Sequence, residues 1–179
     1  KFKAWVNTQK QTFDTIGRDE SRIIIPLYDT ERNLIGFQGR SLVPNSVKYI
    51  TVMLKEEAPK VYGMDRIDTT KSVYVVEGPF DSTFVKNSIA LCGSDGDLEY
   101  LKAYDLIYAY DNEPRNKEIV GRIERCIRDH KRVVIWPNHI GEKDINDMVL
   151  AGHDIMSILE ENTYSSLEAQ VQFNNWKKV

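Results

Sequence analysis

Short apolar runs alternate with polar, turn-forming segments along the chain, and the rhythm of this alternation changes near residue 70. On the N-terminal side, the apolar runs at residues 22–28, 34–40 and 47–52 predict β-strands. The polar segment at residues 29–33 separates the first two runs, which is typical of a hairpin. We therefore expect a small antiparallel region in this part of the chain.

Beyond residue 71, apolar runs alternate with segments of helical period. Strands are predicted at residues 72–76, 89–92, 106–110 and 133–136, and helices at residues 81–86, 96–103, 115–129 and 145–151. Short hydrophobic strands separated by helices indicate a parallel sheet covered on both faces. Two more helices are expected between residues 154 and 176. The predicted division is an N-terminal subdomain (1–70), a central domain (71–152) and C-terminal helices (153–179).

The composition is ordinary for a globular protein, with 41% hydrophobic and 28% charged residues in a chain of 179. No apolar run approaches the ~20 residues that a membrane span needs, so no membrane contact is expected. Cys92 and Cys126 lie far apart in apolar surroundings and are predicted to be buried thiols in a reducing, cytoplasmic compartment. The net charge of −3 argues against a tight, autonomous nucleic-acid binder.

Acidic residues stand where the predicted strands of the central domain end. Glu77 follows the first of these strands, Asp111 the third, and Asp144 the loop after the fourth. Glu113, two residues after Asp111, would face the same side of an extended chain. Ligands gather at the carboxyl ends of parallel strands, so these carboxylates are expected to converge and to need divalent cations. Oxygen ligands suit Mg²⁺ or Mn²⁺, which commonly bridge to phosphate, so the pattern indicates phosphoryl or nucleotidyl transfer.

Each carboxylate taken alone also fits a structural role. Glu77 could end a strand in a solvated turn, and Asp111 could cap the helix that follows it. For Asp81 and Asp147 the capping role is the favoured interpretation. Acids at three separate strand ends are harder to explain in this way, and together they favour the metal site.

Three segments resemble motifs of the TOPRIM fold, which primases and topoisomerases share. Residues 75–81 (Val-Val-Glu-Gly-Pro-Phe-Asp) resemble its Glu-Gly motif, and residues 111–113 (Asp-Asn-Glu) stand where the fold usually has Asp-x-Asp. Residues 143–147 (Lys-Asp-Ile-Asn-Asp) resemble the acidic element that follows the fourth strand in bacterial and phage primases. Glu113, in place of the second Asp, keeps the charge but reaches further.

Upstream segments narrow the resemblance to DnaG-type primases. Residues 25–29, 35–40, 48–49 and 59–63 are similar, in sequence and in order, to the stretch that precedes TOPRIM in that family. The resemblance covers about residues 20–152 and is closest in style to the primases of tailed phages. It implies an α/β fold with a TOPRIM-like parallel four-stranded sheet flanked by helices. A small antiparallel α+β subdomain would precede this sheet, and C-terminal helices would follow it.

The resemblance further implies the catalytic core of a DNA primase, which synthesises short RNA primers from ribonucleoside triphosphates on a DNA template. Two or more Mg²⁺ or Mn²⁺ ions would be held by four acids, of which the first three would act in catalysis: Glu77, Asp111, Glu113 and Asp144. Phosphates of nucleotides or nucleic acid would be bound by three basic residues: Arg40, Lys48 and Lys60.

The implied partners are a single-stranded DNA template, ribonucleoside triphosphates and a replicative helicase. Priming at specific template sites generally needs a zinc-binding module in this family, and the two cysteines of this chain cannot supply one. The resemblance therefore implies a zinc-binding module outside this chain, and a start at Lys1 rather than methionine is compatible with an excised piece of a longer protein. The expected location is the cytoplasm, which would be that of the host if a phage encodes the protein.

Two other functions fit part of the pattern. A TOPRIM nuclease would use the same acids and Mg²⁺ to cut phosphodiesters, but it leaves residues 36–40 unexplained. A phosphoacceptor signalling domain also pairs strand-end acids with Mg²⁺ and needs a lysine that Lys143 could mimic. Its smaller fold, however, lacks the antiparallel N-terminal region.

Overall fold

The structure is a computed structural model that describes residues 1–44, 46–93 and 101–179. The helices are α1 (Phe2–Gln9), α2 (Pro79–Ser82), α3 (Lys117–Arg128), α4 (Ile145–Leu150), α5 (Ile155–Glu161) and α6 (Ser166–Trp176). The strands are β1 (Arg22–Tyr28), β2 (Leu34–Ser41), β3 (Tyr49–Met53), β4 (Val61–Tyr62), β5 (Val73–Val76), β6 (Ser88–Leu91), β7 (Leu106–Ala109), β8 (Arg132–Val134) and β9 (Thr163–Tyr164). The helix predicted at residues 96–103 falls mainly outside the described residues.

The N-terminal sheet consists of β1, β2 and β3 in antiparallel order, which confirms the predicted antiparallel region. The Asp29 carboxylate closes the first hairpin by accepting hydrogen bonds from the backbone N–H groups of Glu31 and Asn33. One face of this sheet packs on α1, where Phe2 contributes to a small apolar cluster. A Cβ on Gly39 would overlap the Phe2 ring, so this close approach requires glycine.

The second sheet has six strands in the order β4-β6-β5-β7-β8-β9. Its inner strands β6, β5, β7 and β8 pair in parallel, whereas the edge strands β4 and β9 pair antiparallel to them. The predicted four-stranded parallel sheet is therefore corrected to a six-stranded mixed sheet. Each edge strand has two residues, which is too short to produce a hydrophobic period in the sequence. These short strands cover the open edges of the parallel strands.

The edge strands come from outside the predicted central domain, because β4 precedes residue 71 and β9 follows residue 152. The boundaries at residues 70 and 152 stay a prediction. The main core lies between the second sheet and its helices, and it includes Phe173 and Trp176 of α6. Both cysteines are buried free thiols, as predicted. Within the described ranges, the helices are too short or too polar to cross a bilayer.

The order of the parallel strands determines where a ligand can bind. From β5 the chain passes to β6 on one side, and then crosses to β7 on the other side of β5. Where the direction in which the chain moves across a sheet reverses, a crevice opens beyond the carboxyl ends of the two adjacent strands. Here these strands are β5 and β7. The loops that follow β5 and β7 begin with Glu77 and Tyr110.

Candidate metal and phosphate site

Glu77 and Asp111 meet at the carboxyl ends of β5 and β7. The two strands are paired neighbours, with Val76 opposite Ala109. The backbone N–H of Asp111 donates a hydrogen bond to Glu77 Oε1 at 3.2 Å. The sheet thus places the two carboxylates side by side, as the sequence predicted from their positions after buried strands.

Asp144 and Asp81 approach the same point from two short helices. Asp144 is the N-cap of α4, where its carboxylate accepts the Asp147 backbone N–H at 2.9 Å. Asp81 lies in α2 and accepts the backbone N–H of Asn146 at 3.1 Å. Together with Glu77 and Asp111, these two acids line one cavity of about 470 Å³. Four carboxylates from three separate segments of the chain therefore line a single pocket.

The pocket is electrostatically unfavourable for its own acids. Burial, followed by the charges of Glu77 and Asp81, raises the pKa of Asp111 from 3.8 to about 7. Burial also raises the pKa values of Glu77 and Asp81. On Asp111 the charge of Lys143 acts in the opposite direction without cancelling the rise. A cation in this pocket would relieve both the desolvation and the mutual repulsion.

The donor set suits a hard divalent cation, because every acidic group facing the pocket offers oxygen. Within the described ranges, no three His, Cys, Asp or Glu side chains are grouped closely enough to form a complete metal site in this conformation. Mg²⁺ usually takes only one or two carboxylates and completes its six ligands with water and substrate phosphate. The adjacent pair Glu77 and Asp111, with Asp81 and Asp144 opposite, fits that mode of binding.

Glu113 lies to one side of this pocket. Its Oε1 is 3.4 Å from Lys143 Nζ, and its Oε2 accepts a hydrogen bond from Asn116 Nδ2 at 3.3 Å. It lines a neighbouring cavity of about 340 Å³ instead. The structure thus brings together Glu77, Asp111 and Asp144 of the predicted acids, and it places Glu113 beside them, paired with a lysine.

Two of the three predicted basic residues lie next to the acidic pocket. The Arg40 guanidinium lies over the rings of Tyr49 and Phe80, at 5.1 and 5.0 Å from their centres, and donates to the Tyr49 hydroxyl. Arg40 and Lys48 both line a cavity of about 550 Å³ that shares Asp81 and Asp144 with the metal pocket. Lys60 is exposed on the chain leading into β4 and lines neither cavity.

Sequence reasoning missed the contribution of Asp81 to the pocket. Asp81 was assigned to capping, but Gly78 is the N-cap of α2 and makes no side-chain cap hydrogen bond. Instead, the carboxylate of Asp81 reaches the first turn of α4 and the pocket. Its spacing of four residues from Glu77, with Pro79 starting a helical turn between them, was the available signal. The capping arrangement of Asp144 with Asp147 is confirmed.

Relatives of known identity were found both by sequence and by structure, although no protein-family model matches the chain. Over 167 residues it is 34% identical to the DNA primase of enterobacteria phage T4, covering 89% of this chain and 48% of that protein. Its fold is similar to that of the Aquifex aeolicus primase (zinc-binding and RNA polymerase domains), with a TM-score of 0.67 and 21% identity. That match covers 96% of this chain and 52% of the other.

The fold is also similar to that of the RNA polymerase domain of Mycobacterium tuberculosis primase DnaG, solved with a double-stranded DNA oligomer carrying a 6-nucleotide overhang. Its TM-score is 0.66 at 18% identity, over 84% of this chain and 56% of that one. The chain thus spans about half the length of each relative named here. By sequence and by fold, the chain is a homologue of the DNA primases.

Proposed function

We propose that this chain is the catalytic core of a DNA primase, which joins ribonucleotides into short primers on a DNA template. The observation that carries the proposal is the convergence of Glu77, Asp111 and Asp144 in one cavity, in a homologue of DNA primases. Primer synthesis is a nucleotidyl transfer, and carboxylate-bound metals next to a basic cavity are the groups that this reaction needs.

We assign the four inner strands of the second sheet to the TOPRIM fold. Two features support this assignment: the Glu-Gly pair directly after β5, and the Asp-Asn-Glu segment that begins two residues after β7. The edge strands β4 and β9 are additions to that pattern. The location we propose for the reaction is the cytoplasm, that of the host if a phage encodes the protein.

In this proposal, Glu77, Asp111 and Asp144 hold Mg²⁺ or Mn²⁺, and Asp81 assists them from α2. The bound metal would lower the pKa of the primer 3′-hydroxyl and neutralise the triphosphate. The half-buried carboxylates would hold the cation in a defined place, because Glu77 is tied to the Asp111 backbone and Asp144 to α4. Glu113 remains a proposed ligand, and it would have to leave Lys143 to reach the pocket.

The basic residues are proposed to hold the phosphates of template, primer or incoming nucleotide. Arg40 is the strongest candidate because stacking on Tyr49 and Phe80 fixes its guanidinium beside the pocket. Lys48 lines both cavities and would act as a flexible point charge. Lys60 would contact only a strand that extends beyond these cavities. The DNA bound to the M. tuberculosis relative supports a DNA template for this chain.

Two protein partners remain part of the proposal. The A. aeolicus relative includes a zinc-binding domain, which supports the expectation that such a module cooperates with this core. A replicative helicase is expected from the family resemblance. Helix α6, in the C-terminal part of the fold, buries Ala169, Phe173 and Trp176 in the core, which favours a packing role for this face over a helicase contact.

Ribonucleotide incorporation on a single-stranded DNA template tests the proposal. With Mg²⁺ or Mn²⁺, the wild-type chain should form short RNA products, and Asp111→Asn and Glu77→Gln should reduce their rate at least 100-fold. Asp14→Asn serves as the control, because Asp14 is exposed in the N-terminal region. Equal activity in all four proteins would refute the proposal. Cleavage of DNA without nucleotides, lost in the same two variants, would favour a nuclease instead.

A further inference from the structure

Asn112 connects three parts of the chain through its backbone and side chain. Its backbone N–H donates to the carbonyl of Lys143 at 2.7 Å. Its Nδ2 donates to the carbonyls of Ile140 and Glu142, each at 3.0 Å. Its Oδ1 accepts the indole Nε1–H of Trp176 at 2.9 Å. Both side-chain N–H groups and the side-chain oxygen of Asn112 are therefore engaged.

The position of Asn112 gives these hydrogen bonds a consequence for the metal pocket. Asn112 directly follows Asp111, and Lys143 directly precedes Asp144. The bonds from Asn112 to the 140–143 segment therefore hold the backbones of the two acidic segments at a fixed separation. A divalent cation binds well only when its ligands are held in the correct geometry by groups behind them.

A second tryptophan, Trp136, is hydrogen-bonded to the residue that precedes Asp111 in the chain. Trp136 Nε1 donates to the carbonyl of Tyr110 at 2.7 Å, and both residues are buried. Asp111 thus lies between two residues that each accept an indole N–H, Tyr110 and Asn112. Trp136 lies two residues after the end of β8, whereas Trp176 is the last residue of the C-terminal helix α6.

The C-terminal helix and the residues directly after it are attached to this loop at two points. Besides the Trp176 bond, the backbone N–H of Lys178 donates to the carbonyl of Pro114 at 2.8 Å. Trp176 is 3% exposed, and its ring stacks near Phe173 in the main core. The Trp176 ring is therefore held in the core, while its indole N–H donates to the loop that contains Asp111.

We infer that Asn112 and Trp176 are positioning residues for the metal site, and that α6 is a structural part of that site. The inference rests on the proposed metal-binding function. Neither residue touches the metal in this account. Asn112 sets the spacing of Asp111 and Asp144, and Trp176 fixes the orientation of the Asn112 amide. Without the Trp176 indole, the Asn112 amide loses the hydrogen bond that its Oδ1 accepts, and the bonds from its Nδ2 to the 140–143 segment hold the two acidic segments less firmly.

Trp176→Phe tests the inference, because it keeps an aromatic ring and removes the indole N–H. We expect the Mg²⁺ concentration that gives half of the thermal stabilisation to rise about 10-fold, the usual effect of losing a group behind a metal ligand. The rate of primer synthesis at saturating Mg²⁺ should recover to within a few-fold of wild type. Trp5→Phe is the matched control, because Trp5 lies on α1 in the N-terminal region.

A measurement on the unmutated protein covers the case in which a variant does not fold. Hydrogen exchange of the α6 amides should slow when Mg²⁺ is added, because coupling between two sites is reciprocal. The same slowing should be absent in Asp111→Asn. If Mg²⁺ stabilises the wild type but leaves α6 exchange and the Trp176→Phe half-saturation unchanged, the positioning role is refuted while the metal site stands. If Mg²⁺ has no effect on the wild type, the metal site itself is refuted.

Discussion

Replacing Asp111 with asparagine is expected to stabilise the metal-free protein while it abolishes activity. Asparagine has nearly the shape of aspartate and leaves the backbone N–H that bonds to Glu77 in place. It removes one negative charge from a pocket in which burial, Glu77 and Asp81 already raise the pKa of Asp111 to about 7. At pH 8 the wild-type protein must ionise this group in an unfavourable environment, and the variant need not.

The size of the expected stabilisation follows from the pKa of Asp111. The difference between the ordinary value of 3.8 and about 7 corresponds to about 4 kcal/mol of unfavourable free energy for the charged form. Because the side chain is only partly buried, solvent screening reduces this to roughly 2 kcal/mol. For a chain of this size, that gain corresponds to an increase of about 4–8 °C in the midpoint of thermal unfolding.

The sign of the pH dependence follows from the same pKa. The folded protein keeps the Asp111 proton up to about pH 7, whereas the unfolded chain loses it near pH 4. Protons therefore favour the folded state between these values, and the contribution of Asp111 to stability falls as the pH rises from about 4 to about 7. The advantage of Asp111→Asn over wild type should accordingly be full above pH 7 and shrink toward zero near pH 4.

Thermal unfolding in EDTA at a series of pH values measures this difference, with Asp14→Asn as the control for a charge change at an exposed position. The variant should unfold at a higher temperature than wild type at pH 8, and the control should match wild type. An Asp111→Asn protein that is less stable than wild type at pH 8, or a gain that does not depend on pH, would refute the reasoning.

Two further predictions concern the basic cavity and the N-terminal sheet. Arg40→Lys should raise the KM for nucleotide or template at least 10-fold, because lysine cannot reproduce the planar stacking of the guanidinium on Tyr49. Lys60→Ala should change the same KM less than 3-fold. Steady-state primer synthesis measures both KM values, and equal effects of the two variants would contradict the assignment of Arg40 to phosphate binding. Gly39→Ala should lower the free energy of unfolding by about 1–3 kcal/mol, because the added Cβ would overlap the buried ring of Phe2. Urea denaturation measures this loss, and an unchanged midpoint would contradict the close packing of Phe2 on residue 39.

The sequence was informative where strong local patterns exist. Apolar runs that end in Glu77 and Asp111 predicted both the inner strands and the edge of the sheet at which the acids meet. Helix α3 was predicted because its buried residues recur at helical spacing, with Ile119 and Ile123 on one face. Asp144 was predicted from its place in the loop after the fourth strand and from the resemblance of residues 143–147 to the acidic element of primases.

The remainder depended on contacts that leave no local pattern. Strands β4 and β9 have two residues each, so no alternation marks them. Asp81 was interpreted as a cap because its partner, Asn146, lies 65 residues away in the chain. The bond between Asn112 and Trp176 joins residues 64 positions apart, and either residue alone has an ordinary structural explanation.

Direct titration of Mn²⁺ tests the central claim, that carboxylates from separate segments form one metal-binding pocket. Electron paramagnetic resonance of free Mn²⁺ gives the bound fraction for wild type, Asp111→Asn and Asp14→Asn. We expect saturable binding that Mg²⁺ displaces in wild type and in the exposed-site control, and an affinity at least 10-fold weaker in Asp111→Asn. Equal binding by all three proteins, or no saturable binding by wild type, would contradict the account.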